Sequence, residues 1–310
     1  MEFLLGIFAG LSLPIQTSVN SELRRRIGSP YFAILVSFIV AWIFLAALFA
    51  FSQNDFPSLH ILENEPWWVF SGGFFGVAFL VGNIFLFLKL GGTLAVILPI
   101  LGQILAGFGI DSFGLFHCAQ IPVTANRALG ILAVIIGAFF AAVDFKQASA
   151  QKTSSRRDFF WKLLGVLVGV SSAIQTAVNG KLGAELNSPL QASLISFSVG
   201  ILFLSIGCLV LFFRNLFSDS PNKFSPKKFR GPWWMFTGGI LGALFILTNI
   251  FLVRRIGTGL SIISTTFGMI LGGFAIDSLG LFHAPVKKIK PLKVLGIILM
   301  FIGIFGIKLG

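Results

Sequence analysis

Long, almost uninterrupted apolar stretches alternate with short polar segments along the chain. Ten stretches are present, at about 3–19, 31–51, 67–88, 93–110, 128–143, 159–178, 190–213, 233–253, 260–276 and 292–307. Each is close to the roughly 20 apolar residues that a helix needs to cross the hydrocarbon core of a membrane. The pattern therefore predicts an all-α integral membrane protein with ten transmembrane helices.

Composition excludes the soluble classes of protein. Charged residues make up 11% of the 310 positions and hydrophobic residues 56%, whereas a soluble domain has about 25% charged residues. So few charges cannot cover a soluble globule, which excludes a soluble enzyme, a disordered protein and a secreted scaffold. Cys118 and Cys208 match no disulfide framework or zinc motif. We expect no metal and no cofactor.

The second half of the chain repeats the first. The segment from Gly6 to Phe38 recurs 159 positions later, and the Pro66-Trp67-Trp68 opening of the third stretch recurs 166 positions later. The added residues fall in the polar segment between the second and third stretches of the later half. The chain therefore divides into a five-helix repeat at 1–146, a linker at 147–158 and a second five-helix repeat at 159–310.

An odd number of helices in each repeat has a topological consequence. Two fused five-helix units cross the membrane in opposite senses, which produces an inverted repeat. The loop charges reverse accordingly, because the three arginines at 24–26 are replaced in the second copy by a single lysine. On this topology 18 of the 23 basic residues lie on one face. The five on the other face are Arg127, Lys181, Arg254, Arg255 and Lys308.

The charge distribution also predicts the orientation. Lys and Arg concentrate in cytoplasmic loops, so the face with 18 basic residues is predicted to be cytoplasmic, with both termini outside. The net charge of +12 is thus explained by basic residues in the cytoplasmic loops, and no nucleic-acid partner is expected. The expected partners are the lipid bilayer and a small-molecule substrate, and a homodimer is left open.

Several motifs together resemble one family. They are Gln16-Thr-x-x-Asn20, Ser29-Pro30, Pro66-Trp67-Trp68, Gly102-Gln103 and Ile110-Asp111-Ser112-Phe113-Gly114-Leu115. The chain resembles the YdcZ-type family of inner-membrane transporters, in the drug/metabolite transporter (DMT) superfamily, in its fused two-repeat form. The resemblance implies a DMT-like fold, a bacterial inner (plasma) membrane location and export. Met269 stands where the second repeat would carry the counterpart of Gln103.

The first helix of each repeat carries a polar stripe. Ser12, Gln16 and Asn20 are spaced four residues apart and share one helix face. Amides in hydrocarbon are costly unless they face a partner or a water-filled cavity. The stripe is interpreted as a substrate-binding surface where the repeats meet, or as hydrogen-bonding contacts between packed helices. Its second copy is Ser171, Gln175 and Asn179.

Five further residues are weaker candidates for the substrate site. Gln103 lies in a proline-containing helix, which at membrane depth can line a pathway or pack against a neighbour. Asn83 and Asn249 are interpreted as caps or packing contacts, with a secondary substrate contact as the alternative. Trp67 and Trp233 open their helices, as residues of an interfacial aromatic belt do, and the alternative is a pocket wall.

Asp111 and Asp277 are the acidic residues that come closest to lying inside a helix in both repeats. A buried carboxylate could carry the proton of a proton-coupled antiporter. Each also sits at a helix end before a glycine-containing turn, which predicts a cap on the next short segment. No acidic residue lies within the first predicted helix, at about 3–19, which argues against proton coupling and against a hydrophobic-cation substrate.

The predicted function is a secondary transporter, in the direction of export, of a small organic metabolite, by alternating access between the two repeats. No glycine-rich loop leads to Lys-Ser or Lys-Thr, so ATP drive by this chain is not expected. A membrane-embedded enzyme would need clustered catalytic groups, and these are missing from the sequence pattern. The alternatives are an importer or facilitator of a small polar metabolite and a non-transporting membrane subunit.

Overall fold

The computed structural model describes residues 1–52, 64–142, 156–216, 232–281 and 291–309. These ranges are helical apart from short connections, and no strand occurs within them. Most of the predicted linker at 147–158 and most of the basic residues of the last two polar loops lie outside the described residues. The helices are α1 (Glu2–Ile27), α2 (Pro30–Phe51), α3 (Gly72–Phe113), α4 (Ala125–Ala142), α5 (Arg156–Glu185), α6 (Pro189–Leu216), α7 (Thr237–Leu279) and α8 (Pro291–Leu309).

The described helices have the length and composition of membrane spans. Nine segments within these ranges are long and apolar enough to cross a membrane. Two of them, Gly72–Leu90 and Leu94–Phe113, belong to α3, and a single 47-residue segment, Trp233–Leu279, contains α7. The prediction of an all-α membrane protein is confirmed.

The two longest helices double back on themselves. A straight helix of about 42 residues would be about 63 Å long, twice the hydrocarbon thickness. Gly242 and Gly268 of α7 both contact the segment of α1 between Ile7 and Gln16, which only a hairpin allows. The backbone turns at Gly257, where φ is 79° and ψ is 171°, a conformation that glycine adopts without strain.

The junction between α1 and α2 shows how local sequence sets helix ends. α1 ends at Gly28, whose φ of 81° lies in the left-handed region, the usual conformation of a residue that follows a helix. α2 begins with Pro30 in its first turn, after Ser29 in an extended conformation. Proline is favoured at this position because its missing N–H group would have no partner there.

Residues that correspond in the sequence repeat make corresponding contacts between the halves. α1 packs against α7 so closely that a Cβ atom on Gly10 would overlap the carbonyl oxygen of Thr265. α5 packs against α3 in the same way, with Gly169 against the carbonyl oxygen of Pro99. Gly10 and Gly169 are related by the offset of 159, and Pro99 and Thr265 by the offset of 166. The first helix of each half therefore packs against a helix of the other half.

Basic residues mark both ends of the helix bundle, which are called the Arg127 face and the Arg24 face. The Arg127 face carries Arg127, Lys181 and Arg254, and its loops meet where Arg254 donates a hydrogen bond to the Asn187 side chain at 3.1 Å. The Arg24 face carries Arg24, Arg25, Arg26 and Lys89, and there the Lys89 ammonium lies 5.8 Å from the centre of the Trp161 ring.

Candidate functional site

A narrow cleft lies between α5 and the first half of α7. The space between the two helices, counted together with its open side, is about 260 Å³. Amide and hydroxyl groups line the α5 wall, and the α7 wall is apolar apart from Asn249. The lining residues are Ser172, Gln175, Thr176, Asn179, Phe245, Ile246, Asn249 and Ile250.

Two amide oxygens in the polar stripes lack hydrogen-bond partners. Within the described part of the chain, Gln16 Oε1 and Asn179 Oδ1 are buried side-chain oxygens that accept no hydrogen bond. Leaving a buried acceptor unsatisfied costs about 1–3 kcal/mol. Asn179 also lines the cleft and is 2% exposed. An acceptor held in this way is suited to a ligand that donates a hydrogen bond.

Glycines of the neighbouring helices make room for the amides. A Cβ atom on Gly72 would overlap the Asn179 amide, and a Cβ atom on Gly76 would lie 2.5 Å from Gln175 Nε2. The equivalent pairs in the other half are Gly238 with Asn20 and Gly242 with Gln16. Because glycine has no side chain, each amide rests directly against a helix backbone and is held in place there.

The two polar stripes differ in how far they are closed in. Asn179 is buried, whereas its counterpart Asn20 is half-buried and accepts a hydrogen bond from Ser37 Oγ at 3.3 Å. Thr176 is half-buried in the cleft wall, whereas its counterpart Thr17 is exposed. The stripe of α5 is therefore the more buried of the two, and the stripe of α1 is the more exposed.

Asp111 is completely buried at the Arg127 face and caps a helix of the other half. Its Oδ1 accepts a hydrogen bond from the backbone N–H of Thr258 at 2.9 Å, and its Oδ2 accepts one from the N–H of Gly259 at 2.8 Å. These N–H groups follow the turn at Gly257, so they lie at the start of the second half of α7. The predicted cap is present, but it serves α7 rather than the segment after Asp111.

Arg127 completes the network around Asp111. Its Nη2 lies 3.1 Å from Asp111 Oδ2, and both side chains are buried. Nη1 donates to the carbonyl oxygens of Ile121 at 2.8 Å and Pro122 at 3.3 Å. The carboxylate is thus bound by a guanidinium group and two helix N–H groups, which join α3, the loop before α4, and α7.

Asp277, the counterpart of Asp111, has a different environment at the Arg24 face. Its side chain is 32% exposed, and its Oδ2 lies 4.0 Å from Lys293 Nζ, at the limit of an ion pair. Lys293 follows Asp277 by sixteen positions, as Arg127 follows Asp111. The pairing of acid and base is thus present in both repeats, but only the Asp111 copy is buried.

The structure brings together three of the predicted site residues in the cleft, namely Gln175, Asn179 and Asn249. Asn249 Oδ1 accepts from Ser261 Oγ at 3.1 Å, and both Asn83 and Asn249 donate to the backbone carbonyl four residues before them at 3.0 Å. The Asn249 bond to Ser261 joins the two halves of α7, and the Asn83 bond stays within its own helix. The other predicted residues lie elsewhere.

The remaining predicted residues are outside the cleft walls. Ser12 Oγ donates to the carbonyl oxygen of Ala9 at 2.6 Å, while Ser171 is half-buried one position before the lining residue Ser172. Gln103 is half-buried on the helix that packs against Gly169. Trp67 and Trp233 are 81% and 78% exposed, as side chains at the membrane interface would be.

Comparison with known proteins decides the family. Residues 1–140 and 160–306 match the model of the family described as "Putative inner membrane exporter, YdcZ". The chain belongs to this family. Its role is therefore membrane transport in an inner membrane, rather than catalysis. A comparison with curated proteins finds no similar sequence.

The fold of this YdcZ-family chain also occurs in a solved structure, described only as "Crystal structure of protein". The two chains superpose with a TM-score of 0.68 at 15% identity, over 99% of this chain and 95% of the other. At this identity the likeness shows the fold alone.

The YdcZ-family chain has site residues that sequence reasoning missed. Phe245, Ile246 and Ile250 form the apolar wall of the cleft, and nothing distinguishes them from other apolar residues in the sequence. Arg127 was assigned only to a face of the membrane. Arg127 follows Asp111 by sixteen positions, and Lys293 follows Asp277 by the same number. This repeated spacing is the signal that could have revealed the ion pair.

Proposed function

We propose that the chain is a secondary transporter that exports a small organic metabolite by alternating access between two inverted five-helix repeats. Ten spans follow if α3 and α7 each cross the membrane twice, as their doubled-back paths allow. The repeats occupy 1–146 and 159–310, joined by a cytoplasmic linker at 147–158. Corresponding contacts on either side of the repeat, such as Gly10 with Thr265 and Gly169 with Pro99, support this arrangement.

The substrate site is the cleft together with the opposing stripe of α1. The observation that carries this assignment is the buried, unpartnered oxygen of Asn179 in a cleft that contains no charged side chain among its lining residues. Such a site favours an uncharged, polar substrate that donates hydrogen bonds. Gln16, Asn20 and Ser12 contribute from α1, and Ser171, Gln175 and Asn179 from α5. Gln103 is proposed to line the pathway from α3.

Orientation follows from the loop charges. The Arg24 face carries most of the basic residues, so we place it in the cytoplasm of a bacterial cell and the termini outside. On this orientation we propose that the more exposed stripe of α1 faces the cytoplasm, which is where an exporter collects its substrate.

Loss of a stripe amide should strongly lower transport. We expect Gln16→Ala and Gln175→Ala each to lower metabolite flux about ten- to a hundredfold, the effect of removing one or two buried hydrogen bonds to the substrate. Purified protein in liposomes, screened against labelled metabolite pools, measures this. Asn126→Ala, which removes an exposed amide at the start of α4, is the matched control and should retain full flux.

Three outcomes would each contradict part of this proposal. Flux that survives both glutamine substitutions would remove the amide site, and a complete lack of flux with every pool would favour a non-transporting subunit. Transport that runs only from the Arg127 face to the Arg24 face would show that the protein is an importer and not an exporter.

A further inference from the structure

Two hydrogen bonds fix the orientation of the Asn249 amide in the cleft wall. Its Nδ2 donates to the carbonyl oxygen of Phe245 at 3.0 Å, and its Oδ1 accepts from Ser261 Oγ at 3.1 Å. A backbone carbonyl can only accept a hydrogen bond, so the amide nitrogen must lie on the Phe245 side. Asn249 and Ser261 are both buried. Ser261 follows the turn at Gly257, so the second half of α7 holds an amide of the first half.

This arrangement leaves one N–H group of Asn249 for a ligand. A side-chain amide has two hydrogens on its nitrogen and an acceptor oxygen. Phe245 takes up one of these hydrogens and Ser261 the oxygen, and within the described residues the side chain makes no further hydrogen bond. Because Asn249 lines the cleft, the α7 wall offers a hydrogen-bond donor.

The α5 wall offers the complementary acceptor. Asn179 Oδ1 is buried and, in the ranges of the chain that the structure describes, accepts no hydrogen bond. Asn179 is 2% exposed and lines the same cleft as Asn249. One amide oxygen and one amide N–H group thus lie on opposite walls of one narrow space.

We propose that the cleft selects uncharged substrates that carry a –CO–NH– group, namely carboxamides and lactams. The N–H group of the substrate donates to Asn179 Oδ1, and its carbonyl oxygen accepts from Asn249 Nδ2. Ser261 is a positioning residue, because it acts through Asn249. The inference rests on the proposed function, since it assigns a substrate class to the proposed transport site.

The shape and polarity of the cleft favour this class over other polar molecules. A –CO–NH– group is planar, and the cleft is thin, because α5 and α7 touch where Gly183 packs against Ile250. Phe245, Ile246 and Ile250 provide apolar surface for the rest of the substrate. No charged side chain is among the lining residues, so a carboxylate or an ammonium group would lose its hydration without gaining a counter-charge. A carboxylate also lacks the donor, and an ammonium group lacks the acceptor.

Binding of matched probes tests the class without requiring transport. Nicotinamide, nicotinate and the methyl ketone of the same pyridine ring differ only in carrying a carboxamide, a carboxylate or a ketone. Caprolactam and cycloheptanone make the same comparison for a lactam. Radiolabelled nicotinamide and caprolactam are bound to the purified protein at equilibrium, and the analogues compete with them. We expect each amide to bind about tenfold or more tightly than its ketone, because the ketone leaves the buried oxygen of Asn179 unpaired.

Substitution of Asn179 tests the acceptor. Asn179→Ala removes the oxygen without adding bulk, so we expect it to weaken nicotinamide binding about tenfold. Binding of the ketone should change little, because the ketone has no hydrogen to donate to Asn179. The preference for the amide over the ketone should therefore be lost. This change in selectivity separates a hydrogen bond to the substrate from a general loss of structure.

Substitution of Ser261 tests the positioning of Asn249. Ser261→Ala should weaken nicotinamide binding about tenfold, because the Asn249 amide is no longer held. Ser264→Ala is the matched control and should bind like the wild type, since Ser264 is equally buried but its hydroxyl donates to the carbonyl oxygen of Ser261. In an Asn249→Ala background, Ser261→Ala should cause no further loss, because Ser261 acts only through Asn249.

The comparison of probes on the wild-type protein decides even if a variant fails to fold. Equal affinity for the amides and their ketones, or no binding of either amide, would overturn the assigned class. A preference for the amide that survives Asn179→Ala would also overturn it. Selective amide binding without flux of either labelled amide into liposomes would uphold the class and refute the proposed transport. Flux of other metabolite pools without amide binding would uphold transport and refute the class.

Discussion

Replacing Arg127 by methionine should destabilise the protein by about 3–5 kcal/mol, the usual cost of leaving one partner of a buried ion pair without its counter-charge. Asp111 would remain fully buried with only the N–H groups of Thr258 and Gly259. Methionine fills much of the arginine volume, so the loss is electrostatic rather than a cavity effect. Unfolding in detergent, followed by tryptophan fluorescence, measures the free energy of unfolding.

The double variant separates charge from packing. Asp111→Asn combined with Arg127→Met removes both charges, so we expect it to recover more than half of the stability lost in Arg127→Met. Lys181→Met is the control, because it breaks an ion pair with Glu185 one helical turn away that is accessible to solvent, and such pairs contribute little. If Arg127→Met alone is as stable as the wild type, Arg127 does not compensate the charge of Asp111.

The second large effect concerns the glycines at the contact between the halves. Gly10→Leu and Gly169→Leu should each sharply lower the yield of correctly folded protein, because their Cβ atoms would overlap backbone carbonyl oxygens of Thr265 and Pro99. Overpacking commonly destabilises a protein by about 1–3 kcal/mol. We expect these two sites to lie at the upper end, because the contact on both sides is made by backbone, which cannot move aside as a side chain can. The fraction of monodisperse protein in size-exclusion chromatography measures the effect.

A third glycine provides the matched control for this prediction. Gly207 of α6 has no atom within 4 Å of an added Cβ, so Gly207→Leu should express and elute like wild type. Equal losses in Gly10→Leu and Gly169→Leu would reflect the equivalence of the two contacts. If Gly169→Leu elutes like Gly207→Leu, the helices are not packed as described.

Much of the fold follows from the sequence because its signals are local or repeated. Apolar length predicts the helices, and the repeat offsets predict which glycines meet equivalent backbone, as at Gly10 and Gly169. The polar stripe of α5 could also be predicted, since amide groups within an apolar helix require polar surroundings. Gln175 and Asn179 indeed line the cleft.

The remainder depends on tertiary structure that repeated sequence cannot encode. The partners of Asp111 lie about 147 positions away at Thr258, so a helix-end pattern predicts a cap without identifying its helix. The repeat also predicts similar surroundings for Asp111 and Asp277, whereas one conformation buries only the first. Two copies of one motif indicate two equivalent sites but not which of them is closed.

Labelling of one pair of equivalent residues tests the inverted arrangement most directly. Arg25 and Ala184 are related by the offset of 159, and both are exposed at loop ends. With Cys118 and Cys208 replaced by serine, Arg25→Cys and Ala184→Cys are treated in intact cells with a maleimide that does not cross the membrane. Inverted repeats predict that Ala184→Cys reacts and that Arg25→Cys reacts only after the cells are opened. Reaction of both cysteines in intact cells, or of neither, would contradict the inverted arrangement.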